Sequence, residues 1–386
     1  VSIGEEDYEP TLRRIGWREI VQSLLGFAVA AALLIFGLPM IADTTWPQIG
    51  QQLTLVGPLV AVLMTGLMLL GLYCYTFTLI GSLPGLSHLR ALMVNAAGSM
   101  ISNVLPAGGA VGVALSYVMF RSWGFTKRNI STSLVVTGVW NLMARLTLPV
   151  LGILMVLFGP VDAPTAVVIG SAIGAAVGIG ALGLFVSLIY SDTVSHRVGR
   201  GLGRLARPFS KRLRAGADLD GLIQDQRSRM SSVVRHHGVS MSLGLIGMFG
   251  FFFVLYVVAA RTVGVDLPLA QLFAAYAFRQ FLTVVAITPG GLGVTEAGTA
   301  GVLVAFGSDP GAAAAAALLY AVFTHLLEIP LGLAAWLTWW FGPKSRTRRQ
   351  AVRAGGPAIP AAPVATSSER AEPDRSDPDG SAGPAK

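Results

Sequence analysis

Thr288-Pro289-Gly290-Gly291-Leu292-Gly293-Val294-Thr295-Glu296-Ala297-Gly298 breaks a long apolar region with a proline, closely spaced glycines and an acid. Pro289 cannot continue a preceding helix, and it pushes Thr288 away from the α region. Gly290, Gly291 and Gly293 permit positive φ and close backbone approach. The next helix is expected to start near Gly293, with free N–H groups at a positive dipole end. In water this would be an ordinary loop. Inside a bilayer, irregular backbone is tolerated only where protein or a water-filled cavity covers it. An acid at that depth marks a functional site by default.

The composition puts the stretch in a membrane. The chain of 386 residues is 53% hydrophobic and only 12% charged, with a mean hydropathy of +0.65. Soluble domains carry about 25% charge. Several apolar runs reach the roughly 18 residues needed to span a hydrocarbon core. The fold class is therefore an all-α polytopic membrane protein. Its 46 glycines suit close helix packing in lipid. The formal charge of +8 reports orientation and lipid contact, and no nucleic-acid module is present. Cys74 is the only cysteine, so neither an intramolecular disulfide nor a thiolate metal cluster can form. No metal or cofactor is expected.

Apolar spans fall at about 20–41, 55–80, 130–158, 165–190, 239–261 and 312–341. Two further apolar regions, 91–120 and 269–306, are interrupted. The first is broken at Asn103-Val104-Leu105-Pro106-Ala107-Gly108-Gly109. Each side of it offers only ~20 Å of helix, short of a core of about 30 Å. Residues 1–19 place acids before arginines, a poor signal-peptide start. They read as a cytoplasmic segment ahead of a transmembrane domain over 20–341. The loop 191–238 holds ten basic and four acidic residues. Within it, Val198, Leu202, Leu205, Phe209 and Leu213 recur at helical spacing between arginines. That pattern predicts an amphipathic helix on the inner leaflet, drawing anionic headgroups. The tail 342–386 is rich in Pro, Ala, Ser and Asp and reads as a disordered cytoplasmic segment.

Basic segments lie at the N-terminus, 81–90, 121–129, 191–238 and the tail, while 42–54, 159–164, 263–268 and 307–311 lack bases. The positive-inside rule reconciles these only if each broken region enters and leaves on one face. The expected architecture is about six full transmembrane helices plus two re-entrant helix hairpins, with both termini in the cytoplasm of a bacterial plasma membrane. If 269–288 crosses alone, there are more full crossings. The two breaks also share a Pro-Gly-Gly-Gly-Val order, at Pro106, Gly108, Gly109, Gly112, Val113 and at Pro289, Gly290, Gly291, Gly293, Val294. Span, hairpin and span follow one another twice, in opposite orientations. Such an inverted-topology repeat points to a binding site where the interrupted segments meet.

Candidate substrate-binding residues are therefore Asn103, Pro106, Gly108 and Gly109 in the first break, and Pro289, Gly290, Gly291, Gly293 and Glu296 in the second. A helix N-terminus there suits a phosphate or carboxylate. Arg145 and Arg279 sit within apolar helices, where a guanidinium is costly unless paired or wetted. They read either as structural salt-bridge partners or as phosphate ligands. His325 and Glu328, three apart, share a helix face, as a local hydrogen-bonded pair or as a relay. Asn103 and Asn141 also suit hydrogen bonding between helices.

Pro289-Gly290-Gly291-Leu292-Gly293-Val294-Thr295-Glu296 resembles the Pro-Gly-Gly-Leu-Gly-x-x-Glu signature of the lysylphosphatidylglycerol synthase transmembrane (flippase-like) family. The resemblance covers roughly residues 15–341. It implies a lipid-translocating membrane domain, with Pro289, Gly290, Gly291, Gly293 and Glu296 in the signature positions. Ala144 stands where that family carries an acid before the arginine corresponding to Arg145, and Val113 where it carries one after Gly112. No aminoacyl-transferase domain lies within these residues, so synthesis of lysyl-lipid is not expected.

No zinc-hydrolase motif, nucleophile elbow or Walker A sequence occurs, so an enzyme is not expected. The leading expectation is movement of a phospholipid or lipid-linked glycan between leaflets. The alternatives are a secondary transporter for a small anion and a non-catalytic partner of an envelope glycolipid enzyme. The expected partners are membrane lipids, with anionic headgroups at the 191–238 loop.

Overall fold

The structure, a computed structural model, describes residues 31–105, 108–158, 219–285 and 288–342, with isolated helical positions at 21–28 and 165–187. Pro106, the 196–214 helix and almost all of the 342–386 tail lie outside the described residues, as do most of the 165–190 span and the start of the 20–41 span. Among the described residues every regular element is helical. A π turn, Leu33–Gly37, leads into α1 (Leu38–Ala42), followed by α2 (Trp46–Leu53) and α3 (Pro58–Ser82). Then come α4 (His88–Val104), α5 (Gly108–Ser122), α6 (Lys127–Phe158) and α7 (Leu219–Thr262). The second interrupted region forms α8 (Leu269–Val285), a 3-10 turn Pro289–Gly291 and α9 (Val294–Ala305). The last run is α10 (Pro310–Ala321), a π turn Val322–Leu326 and α11 (Glu328–Phe341).

Four stretches are long and apolar enough to cross a membrane: Pro58–Ser82, Lys127–Met155, Ser228–Thr262 and Pro310–Phe341. They fall on four of the six expected spans. The four helices of the interrupted regions have 17, 15, 17 and 12 residues. At about 1.5 Å per residue none reaches the ~30 Å of a hydrocarbon core.

Two local expectations are corrected. The link 42–54 contains α2, which a capping box starts: Gln48 Oε1 accepts from the Thr45 N–H at 2.9 Å, with Pro47 in the first turn. The segment 191–238 is not loop to its end, because α7 begins at Leu219 and runs for 44 residues. The stretch Ser228–Thr262 within α7 has the length and composition of a span. The final span falls where expected, at Pro310–Phe341, and carries a π turn at Val322–Leu326 that inserts a wider turn into it.

Each break follows from its backbone. Leu105 is extended, at φ −108° and ψ 138°, the conformation imposed on a residue that precedes a proline. The Gly108 N–H donates to Leu105 O at 2.8 Å and closes the turn. Helices α4 and α5 then run back along each other in close contact: a Cβ on Gly112 would lie 2.8 Å from Gly98 O. In the second break, Gly290, Gly291 and Gly293 all take positive φ, at 59°, 77° and 85°. A side chain would be strained at each.

The remaining packing is antiparallel and reciprocal. Gly71 and Gly81 of α3 lie against Phe252 and Met241 of α7, and Thr78 Oγ1 donates to Met241 O at 2.9 Å. Gly244 and Gly247 of α7 bring its backbone against Cys74. Helix α6 packs on α8 through Gly152 against Ala274 and Ala277. Helix α11 packs on α4, where a Cβ on Gly332 would stand 2.4 Å from Ala96 O. Thus the span that follows each interrupted region packs on the first arm of the other one.

Candidate functional site

Both breaks end at the π turn of the last helical run. His325 Nε2 lies 3.0 Å from Gly290 O, which can only accept, so Nε2 carries the proton. Asn103, the penultimate residue of α4, donates from Nδ2 to His325 O at 3.4 Å and to Glu328 Oε2 at 3.3 Å. A Cβ on Gly290 would approach Asn103 Oδ1 to 2.9 Å, so the tips touch through the space glycine leaves. His325 and Glu328 do not pair with each other. Both nevertheless line the same cavity, and His325 lies within the π turn Val322–Leu326. Asn103 bridges them.

Glu296 sits at the start of α9, fully buried. Its Oε2 accepts the Gly293 N–H at 2.6 Å, and its Oε1 accepts from Thr295 Oγ1 at 2.8 Å and from Arg279 Nη2 at 3.0 Å. The chain's own carboxylate thus stands at the start of α9, taking the N–H of the N-cap residue Gly293 and favoured by the helix dipole. Arg279 is also buried, and its guanidinium lies 4.8 Å over the Tyr320 ring. Its Nη1 is buried without a hydrogen-bond partner.

Arg145 is held differently. Its Nε donates to Asn141 Oδ1 at 3.0 Å and its Nη1 to Gln280 Oε1 at 3.0 Å, with Thr283 Oγ1 as a further acceptor of Nη1. Its cation also lies 5.7 Å over the Phe249 ring. These partners are neutral. Among the described residues no acid lies within ion-pair distance of Arg145, and no cation within that distance of Glu328.

These groups surround one cavity of about 760 Å³. Of the sequence candidates, Arg145, Arg279, Asn103, Gly108, Gly109, Gly290, Gly291, His325 and Glu328 line it. Gly293 and Glu296 do not; they lie behind Arg279. Pro289 opens the 3-10 turn, and its side chain, like Pro106, is outside the described residues. Sequence reasoning missed Gln280, Thr283 and Tyr320, which also line the cavity. The polar Gln280 and Thr283 within apolar α8 were the available signal for two of them. Nothing in the composition marks the π turn. Among the described residues no group of three or more potential metal ligands occurs.

A family model described as the lysylphosphatidylglycerol synthase TM region matches residues 23–345. The chain belongs to this family. It is an integral, multi-pass membrane protein of the lysylphosphatidylglycerol synthase TM family. A comparison with curated proteins finds no match. In this family member the matched region contains every described element and the whole cavity.

Proposed function

We propose that this protein moves a phospholipid or lipid-linked glycan between the leaflets of a bacterial plasma membrane, holding the headgroup phosphate in the cavity at Arg145. The observation that carries the reading is a guanidinium lining the cavity with only neutral partners. An unpaired charge at membrane depth is costly. An anionic ligand supplies the missing counter-charge, and a phosphate matches the planar donor fork. The orphaned Nη1 of Arg279 adds a second donor that a phosphate oxygen can satisfy. Asn103, Gly108, Gly109, Gly290 and Gly291 supply backbone and amide contacts around the headgroup.

The architecture proposed for this task is an inverted repeat of span, re-entrant hairpin and span. Its halves are α3 to α6 and α7 to α11, and both termini are cytoplasmic. The reciprocal packing of α6 on α8 and α11 on α4 supports it, because a two-fold axis exchanges those contacts. The hairpin tips that meet at His325 and Asn103 would then separate the two access routes.

The test is leaflet accessibility of fluorescent phospholipids and polyprenyl-phosphate glycolipids in proteoliposomes of the purified chain. Arg145→Ala should slow translocation by about tenfold or more, the ~1.5–3 kcal/mol of one charged hydrogen bond. Unchanged rates in a folded Arg145→Ala protein would remove the phosphate role. Uptake of free phosphate without lipid movement would instead favour a small-anion transporter.

A further inference from the structure

We infer that Glu328 is a proton-binding site linked to the headgroup site, so that one proton and one anionic headgroup enter the cavity together. This deepens the function proposed above and rests on it. Charge counting around the cavity carries the inference. Arg279 and Glu296 form a pair at 3.0 Å and cancel. What remains is the cation of Arg145 and the carboxyl of Glu328, neither with an ionic partner among the described residues. With Glu328 ionised these two sum to zero, and an arriving phosphodiester makes the site negative. With Glu328 protonated the cavity carries one positive charge, and the same anion makes it neutral. Away from water, a net charge is far more costly than in solution. Each ligand therefore favours the other, and by linkage the coupling is equal in both directions.

The surroundings of Glu328 fit a group that carries a proton. Helix α11 packs mainly on α4, which presents neutral Asn95, Ser99, Ser102 and Asn103 to the cavity, while its basic residues, His88 and Arg90, lie in its first turn. Asn103 Nδ2 donates to Oε2 and can do so in either protonation state of the acid. The other titratable or charged groups facing the cavity are Arg145 from α6, Arg279 from α8 with Glu296 behind it, Tyr75 from α3, Tyr320 from α10 and His325 from the π turn. His325 Nε2 is engaged with the Gly290 carbonyl. Glu328 is thus the carboxyl that both faces the cavity and lacks a cation. Through Asn103 it also contacts the first hairpin tip and the His325 backbone, the junction that must open if the tips part.

The test uses the full chain in detergent with dihexanoyl-phosphatidylglycerol, a phosphodiester that does not itself titrate near neutrality. Its binding should weaken with rising pH, by up to about tenfold per pH unit, the limit for one linked proton. Glu328→Gln, which fixes the neutral form, should bind at high pH as wild type does at low pH and show no slope. Independently of any variant, wild-type protein in weak buffer should take up protons when the lipid is added. Binding without pH dependence or proton uptake overturns the linkage but leaves lipid binding intact. A slope that persists in Glu328→Gln assigns the proton to another group, His325 first, and overturns it. Loss of binding at every pH in a folded Glu328→Gln makes the carboxylate a direct headgroup ligand and also overturns it. Wild-type protein that binds at no pH sinks this inference and the headgroup site together.

Discussion

At the scale of single residues, Arg279 and Arg145 separate two uses of a guanidinium at membrane depth. The Arg279 and Glu296 side chains are 1% and 0% exposed, and the acid also ties down the Gly293 N–H. Such a pair contributes little net stability, but removing one partner strands the other. Glu296→Gln should therefore lower stability by about 3–5 kcal/mol, read as a fall in the thermal unfolding midpoint in detergent. The double variant Arg279→Met/Glu296→Leu should recover much of that loss. A Glu296→Gln protein as stable as wild type would show that the pair is not a structural lock. The motif around Glu296 was legible because its chemistry is local: three positive-φ glycines and an N-terminal-turn acid lie within seven residues of sequence. Which arginine the acid would pair with was not legible. That choice depends on the fold of α8 against α9, and Arg145 and Arg279 looked alike as isolated charges in apolar helices. The environment of Arg145 depends on α6 meeting α8, with Gln280 135 residues away along the chain.

At the scale of elements, the helices of this protein are held by backbone approach where small residues allow it. Gly332 is a clear case, with Ala96 O and Met100 Cβ each 2.4 Å from where its Cβ would stand. Gly332→Ala should push α11 off α4 and cost about 1–3 kcal/mol, the usual range for overpacking. Gly66 in α3 has nothing within 4 Å of an added Cβ. Gly66→Ala should therefore be neutral, or stabilise by up to about 1 kcal/mol through helix propensity. Thermal midpoints of the two variants check the contrast, and equal effects would mean that the close α4–α11 contact is not strained by a methyl group. Element existence was readable for the long apolar runs and for the breaks, since length, proline and glycine signal them directly. The π turn at Val322–Leu326 was not. It adds a residue to a turn without any Gly or Pro, and the tertiary bonds of His325 accompany it. Helix α2 carried its Thr45-x-x-Gln48 box and Pro47 in plain view; the eight-residue length and lack of charge made it pass for a link.

At the scale of the whole molecule, the proposed inverted repeat fixes which loops share a side of the membrane. The ends of α4 and α5 nearest their neighbouring spans must emerge together, and so must those of α8 and α9, on the opposite side. In a Cys74→Ser background, single cysteines can replace Pro84, Thr126, Asp266 and Asp309, all exposed in the links that flank the two interrupted regions. A membrane-impermeant maleimide should label Pro84→Cys and Thr126→Cys from the cytoplasmic side only. The same reagent should reach Asp266→Cys and Asp309→Cys from the other side only. Labelling of either pair from opposite sides would turn that interrupted region into a crossing and destroy the repeat. Helix length makes that outcome demanding. At ~1.5 Å per residue, the 12 residues of α9 cover less than two thirds of a ~30 Å core. A crossing built from α8 and α9 would also have to pull them apart, although Gly298 of α9 lies against Phe278 and Leu282 of α8. The folded-back packing of the short helices thus argues for paired ends on one side, and the labelling pattern decides it without reference to the transported molecule.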